Sequence, residues 1–215
     1  MLNYAGMRPD GSKALSDAGA PVGSNFFGQS SFASHALTYE RNVVKVPEDV
    51  PLEIIGPLGC GIQTGAGSIL CALDVQPGTS VAVFGAGAVG LAAVMAAKVA
   101  GATTIVAVDL QQHRLDLALE LGATHALKGD APDVGAQILA AAGGGVHYSF
   151  DTTGIPSVIV TALQATRMTG KCGLVGVQQG NLELDSTTML GKTILKILEG
   201  SADPQVFIPR MIQLW

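Results

Sequence analysis

Aromatic and charged side chains are both scarce in this 215-residue sequence, at 5% and 13%. Basic residues number 12 against 17 acidic ones, a net charge of −5. No basic patch and few aromatics leave nothing to hold a phosphate backbone or stack on bases, so nucleic acid is excluded as a partner. Cysteine is nearly absent too. Cys60, Cys71 and Cys172 are an odd number without paired spacing, and no Cys-x-x-Cys or His-Glu pair occurs. A reduced, cytoplasmic setting is expected. The first ten residues carry neither the basic region nor the apolar stretch of a signal peptide, which agrees with that setting.

What is abundant is small and apolar: 48% hydrophobic residues and 28 glycines, with a mean hydropathy of +0.41. The run 80–108 contains one charge, Lys98. Gly85, Gly87, Gly90 and the break at Gly101 exclude a membrane span there. Strands of a parallel sheet, buried on both faces, read as continuous apolar runs of this kind. No membrane partner is expected.

Residues 1–25 read as loop. Weak alternation suggests a strand over 32–38, a turn over 39–42 and a second short strand over 43–46. The stretch 52–73 looks helical in two pieces, interrupted at 59–61. From residue 80 a regular rhythm begins. Strands are expected at 81–84, 104–108, 125–127, 146–150, 171–177 and 193–198. Helices are expected between them at 88–100, 111–121, 132–142 and 156–168. On 111–121, Leu115, Ala118 and Leu119 face inward; on 132–142, Val134, Ile138 and Ala141 share a face. Asp203 and Pro204 cap a final helix. Helical crossovers predict a doubly wound, parallel six-stranded α/β sheet. Residues 1–60 do not fit the rhythm and are expected to belong to a different domain; 61–215 form the sheet domain.

The most informative stretch is 80–110, SVAVFGAGAVGLAAVMAAKVAGATTIVAVDL. It reads strand, glycine-rich turn, helix, strand, acid. Gly85, Gly87 and Gly90 form G-x-G-x-x-G directly after a strand, and Asp109 follows Gly90 by 19 residues. In that pattern Gly85 permits the turn and Gly87 lets the backbone approach a pyrophosphate. Gly90 lets the helix pack close, and the helix N-terminus faces the phosphate charge. Asp109 accepts hydrogen bonds from a ribose diol and repels a 2′-phosphate, so NAD is expected over NADP.

These motifs resemble the zinc-dependent medium-chain alcohol dehydrogenases. GPLGCGIQTGAGSIL at 56–70 and GAGAVG with Asp109 carry the likeness, supported by FFGQSSFASHAL at 26–37, ELGATHAL at 120–127, GGGVHYSFDTTG at 143–154 and GLVGV at 173–177. The aryl-alcohol (benzyl-alcohol) branch is nearest. The resemblance implies a Rossmann sheet preceded by part of a β-rich, GroES-like catalytic domain, so the chain resembles a central fragment of such an enzyme. It implies NAD and zinc as cofactors of a complete enzyme and an alcohol or aldehyde substrate, with zinc holding the substrate oxygen while hydride passes to the nicotinamide.

Residue by residue, Cys60 matches a catalytic zinc ligand; spacing alone gives only a small buried thiol at a helix break. A zinc site needs further protein ligands, and His35 is the only histidine upstream, so this chain is not expected to hold zinc natively. Thr64 matches a threonine near the nicotinamide. Ala88 and Val89 match contacts under the pyrophosphate and ribose. Arg114 matches a basic residue reaching the adenosine ribose, and reads equally well as a solvated helix charge. Thr152 and Thr153 match the adenine-side wall, and Val175, Gly176 and Val177 the strand end that meets the carboxamide. Packing is the alternative role for each, and no chemistry is expected of His113, His125 or His147. Asp151 is expected to cap a turn. The resemblance also implies a homodimer through 193–198, an apolar edge strand whose one charge is Lys196. Competing functions are a catalytically inactive NAD-binding or oligomerising fragment, a zinc-free quinone-oxidoreductase-like reductase, and a methyltransferase. Asp109 disfavours the NADPH habit of the reductase, and no antiparallel strand pair follows Val177 as a methyltransferase requires.

Overall fold

The computed structural model of the chain describes residues 6–24, 34–35 and 38–214. The chain divides into two compact units, Met1–Glu48 and Asp49–Trp215. The segment 49–60, attached to the first domain on sequence grounds, packs with the sheet unit.

In the first unit a small antiparallel hairpin, β1 (Leu15–Asp17) and β2 (Ala20–Val22), occupies a stretch expected to be loop. Ala18 and Gly19 turn it with φ of 47° and 83°. The signal was weak because its strands are three residues long and exposed on every side. The strand expected at 32–38 lies largely outside the described residues. The one expected at 43–46 does not form: 40–42 make a 3₁₀ turn and 43–47 run on without ladder partners. Val44 and Val46 are half-buried between exposed Val43 and Lys45, so the alternation is present, but no strand lies alongside to pair with it among the described residues.

The second unit follows the predicted rhythm. Its sheet is β3 (Ser80–Phe84), β4 (Thr104–Asp109), β5 (His125–Lys128), β6 (Val146–Asp151), β7 (Thr166–Leu174) and β8 (Thr193–Lys196), in the order β5-β4-β3-β6-β7-β8, parallel throughout. Two halves diverge from β3, the doubly wound order whose strand ends open a crevice beside the first strand. All five residues of β3 are buried, as a central parallel strand requires. Val106, Phe150, Ile159 and Leu163 are buried in the elements around it.

The helices are α1 (Leu52–Ile55), α2 (Gly61–Gly67), α3 (Ala88–Val99), α4 (Gln112–Leu121), α5 (Val134–Ala141), α6 (Pro156–Ala165), α7 (Ser186–Met189) and α8 (Pro204–Leu214). A 3₁₀ turn, Gly56–Gly59, follows α1, and the helical path breaks at Cys60 as expected. A π-helical turn, Ser68–Ala72, continues α2. On α5, Ile138 is buried and Val134 and Ala141 pack against the core. On α4, Leu115 and Ala118 are buried, but Leu119 is 45% exposed: the apolar stripe is narrower than expected. Asp203 Oδ1 accepts from the Gln205 amide at 3.0 Å and caps α8.

The crossover from β6 to β7 differs from its expected form. Helix α6 ends at Ala165 and β7 starts at once, with residues 167–170 bulging out between the Val146–Thr166 and Tyr148–Lys171 pairs. Thr166 makes the corner. Its Oγ1 donates to the Ala162 carbonyl (2.7 Å) and lies 2.7 Å from Ser149 Oγ. A threonine that ties helix end to neighbouring strand overrides the local helical pattern. Among the described residues no single helix is long and apolar enough to cross a membrane.

Candidate functional site

The crevice at the carboxyl ends of β3, β4 and β6 holds a cleft of about 560 Å³. Gly85, Gly87, Asp109, Arg114, Thr152 and Thr153 line it together with His113, Ile155 and Val158. Sequence reading named the first six; His113 was assigned no chemistry, and only the curl of the chain after β4 brings it in.

Each glycine of the fingerprint has a separate reason. Gly85 has φ of 90°, and a Cβ there would be driven into Thr152 Oγ1. A Cβ at Gly90 would strike the Gly85 carbonyl oxygen, so that residue seats α3 against the loop. Gly87 differs: its backbone is extended, and nothing lies within 4 Å of where a Cβ would sit. The protein does not need glycine at that point, whereas a ligand approaching the backbone does. Gly87 is also the N-cap of α3 and supplies no side-chain cap. The first-turn amides of α3 therefore keep their donor capacity for an anion. Ala88 is exposed there, and Val89 half-buried.

Asp109 is 8% exposed. Its Oδ2 accepts from the Ala86 amide at 2.7 Å and its Oδ1 from the Gln111 amide at 2.8 Å. Arg114 Nη1 stands 3.7 Å from Oδ2. The Arg114 side chain is 47% exposed, so the pair adds little to stability; its geometry puts a guanidinium at the rim of the cleft. Each carboxylate oxygen keeps a lone pair for a ribose hydroxyl.

Asp151 caps the turn after β6, as expected, accepting from the Thr153 and Gly154 amides at 3.2 and 2.9 Å. Beyond β7, Val175 is half-buried, Gly176 buried and Val177 87% exposed. These three stand outside the cleft, and the turn after β6 joins them to it.

Cys60 and Thr64 also lie outside the cleft, at the break before α2 and one turn on. Both meet a residue that sequence reading passed over, Glu199. Cys60 Sγ is 3.8 Å from Glu199 Oε1, and Thr64 Oγ1 is 3.4 Å from Oε2. Glu199, Gly200 and Ser201 have φ of 50°, 69° and 53°, a sustained left-handed run that costs free energy at the non-glycine positions. Gly200 sits so close to α2 that a Cβ there would lie 2.7 Å from Gly67 Cα. Gly65 allows α2 to cross α3, since a Cβ would meet the Val89 carbonyl oxygen. The available signal was the Glu-Gly pair just after an edge strand and the Gly-x-Gly of α2. Partial burial first, and the Glu199 carboxylate second, push the Cys60 thiol above its ordinary value. Among the described residues no three metal-ligating side chains come together. One exposed sulfur and one nearby carboxylate do not make the four-coordinate site zinc takes in proteins.

The sheet order, the fingerprint loop and the acid ending the second sheet strand define a doubly wound α/β protein of the Rossmann type. A model of the zinc-binding dehydrogenases matches residues 88–214, and the chain belongs to that family. It is 50% identical to a geraniol dehydrogenase of Castellaniella defragrans over 98% of this chain and 58% of that protein. A probable alcohol dehydrogenase of a Pseudomonas species is 37% identical, over 93% and 66%. Two solved structures are similar. An alcohol dehydrogenase zinc-binding domain protein from Burkholderia ambifaria has a TM-score of 0.94 and 51% identity, covering 99% of this chain and 59% of its own. Benzyl alcohol dehydrogenase from Acinetobacter calcoaceticus has a TM-score of 0.92 and 45% identity, with the same coverage. The chain thus spans about three fifths of the length of these relatives.

Proposed function

We propose that this chain carries the coenzyme-binding part of an NAD-dependent alcohol dehydrogenase, which passes hydride between a primary alcohol and NAD. The observation that carries the reading is Asp109, a buried acid at the end of β4 hydrogen-bonded to the fingerprint loop and facing a cleft lined by Gly87. A second sugar hydroxyl fits beside it, and a 2′-phosphate meets its charge. Residues 1–60 are assigned to part of the catalytic domain and 61–215 to the coenzyme domain. Thr64 and Val175–Val177 take the nicotinamide end, Ala88, Val89 and Gly90 the pyrophosphate, and Arg114, Thr152 and Thr153 the adenosine end. Cys60 is the zinc ligand of a complete enzyme. The named activities of the geraniol and benzyl alcohol dehydrogenases support allylic or aryl primary alcohols, and the corresponding aldehydes, as the substrate class.

Three free cysteines support a reduced, cytoplasmic setting. Edge strand β8, with Thr193 and Lys196 exposed, supports a homodimer in which two sheets join edge to edge.

Incubating the chain with NAD, zinc and benzyl alcohol or geraniol, while following NADH fluorescence and NADH binding, tests the reading. NADH binding with at most trace turnover is the expected result. A chain that binds no NADH contradicts it.

A further inference from the structure

The turns after β6 and β7 meet at one buried acid that the cofactor reading leaves without a task. Asp151 is 0% exposed and has no ion-pair partner among the described residues. A buried carboxylate persists only when its oxygens are fully hydrogen-bonded. Here every bond runs to a segment placed on the dinucleotide. Oδ1 accepts from Thr153 Oγ1 at 2.7 Å and from the Thr153 amide at 3.2 Å, and Oδ2 from the Gly154 amide at 2.9 Å. Its main-chain carbonyl accepts from the Val175 amide at 3.0 Å and the Gly176 amide at 3.4 Å.

The two turns are then closed backbone to backbone. A Cβ at Gly154 would be driven into the Val177 carbonyl oxygen, and one at Gly176 into the Gly154 amide. The Gln179 amide donates to the Gly154 carbonyl at 2.9 Å. On the other side Thr152 Oγ1 donates to the Phe84 and Gly85 carbonyls at 2.9 and 3.1 Å, which fastens the same turn to the fingerprint loop. Asp151 does not itself line the cleft.

We propose that the Asp151 carboxylate is a positioning group that fixes the 152–154 turn, against which the 175–177 segment closes backbone to backbone, so that the adenosine and nicotinamide ends of the cofactor are set together. This rests on the dinucleotide reading above. Removing the carboxylate is expected to weaken a ligand that uses only the adenosine end, and to weaken the whole cofactor more. A group that merely holds the fold together would change melting temperature and leave both affinities alone.

The test is calorimetric titration of the full 215-residue chain with ADP-ribose and with NADH, well below the melting temperature. In Asp151→Asn an amide N–H₂ replaces one acceptor and faces the donors of the turn. ADP-ribose affinity is expected to fall about tenfold, the loss of roughly one to two hydrogen bonds, and NADH affinity further. A second pair of variants covers a failure of that protein to fold. Thr153→Val deletes one bond to Asp151 and is expected to weaken both ligands several-fold, and Thr153→Ser to recover most of that loss. Undiminished affinities in Asp151→Asn, or equal affinities in the two Thr153 variants, overturn the proposal. A parent chain that binds neither ligand overturns the dinucleotide reading itself, a result distinct from parent binding with insensitive variants.

Discussion

Asp109 Oδ2 accepts a hydrogen bond from the Ala86 amide at 2.7 Å. The acid placed to choose the cofactor therefore also clamps the loop that receives the pyrophosphate. Replacing Asp109 does two things at once, and a simple exchange of NAD for NADP preference does not follow. Asp109→Ser relieves the repulsion of a 2′-phosphate but frees the loop. We expect NADH affinity to fall at least about tenfold, from the loss of a charged acceptor. NADPH affinity is expected to stay below the parent's affinity for NADH. Titration of both nucleotides against the variant checks this; an NADPH affinity equal to the parent's for NADH contradicts the clamp.

Gly87 and Gly90 are expected to fail in different ways. Gly90→Ala forces a methyl into the Gly85 carbonyl oxygen and should cost about 1–3 kcal/mol, lowering Tm by about 2–10 °C. Gly87→Val has open space around it and should leave Tm within about 2 °C while abolishing NADH binding. Thermal melts and titration of the two variants separate the roles.

That pair also shows what was legible beforehand. The spacing of Gly85, Gly87, Gly90 and Asp109 located the crevice, because each is read against a local strand–turn–helix pattern. Glu199 was not legible in the same way. It reaches Thr64 across 135 positions of sequence, through a left-handed backbone run that no side-chain periodicity encodes. The early start of β7 was hidden because a hydroxyl tie at Thr166 to Ser149, not propensity, ends α6. The hairpin β1–β2 was missed because a strand buried on neither face leaves no alternation to read.

His147 sets a pH dependence. The Ser80 amide donates to its Nδ1 at 3.1 Å, and Arg167 Nη1 lies 2.6 Å from Nε2. Desolvation first, and the Arg167 charge second, hold its pKa below the ordinary histidine value. The unfolded chain then binds the proton more readily than the folded one. The contribution of this group to stability is present above the unfolded value of about 6.5 and is lost as pH falls through the lower folded value. Urea melts at pH 7.5 and 5.5 should show a smaller acid loss in His147→Gln than in the parent. An identical loss in both contradicts the assignment.

The dimer proposal has its own test. The Ile197 amide donates inward, to the Leu174 carbonyl of β7 at 2.9 Å, so a proline at 197 damages the sheet itself. Alternation along β8 turns the Ile194 amide outward. Ile194→Pro should convert a dimeric parent to monomer in light scattering while NADH binding persists. A monomeric parent, or a dimeric variant, contradicts this interface.

The central claim is that Asp109 and the glycine loop form an NAD site. Calorimetric titration of the 215-residue chain with NADH and with NADPH tests it most directly. One NADH per chain, bound at least about tenfold more tightly than NADPH because a 2′-phosphate meets the buried Asp109 charge, is the result expected. Tighter binding of NADPH, or no binding of either, would contradict the account.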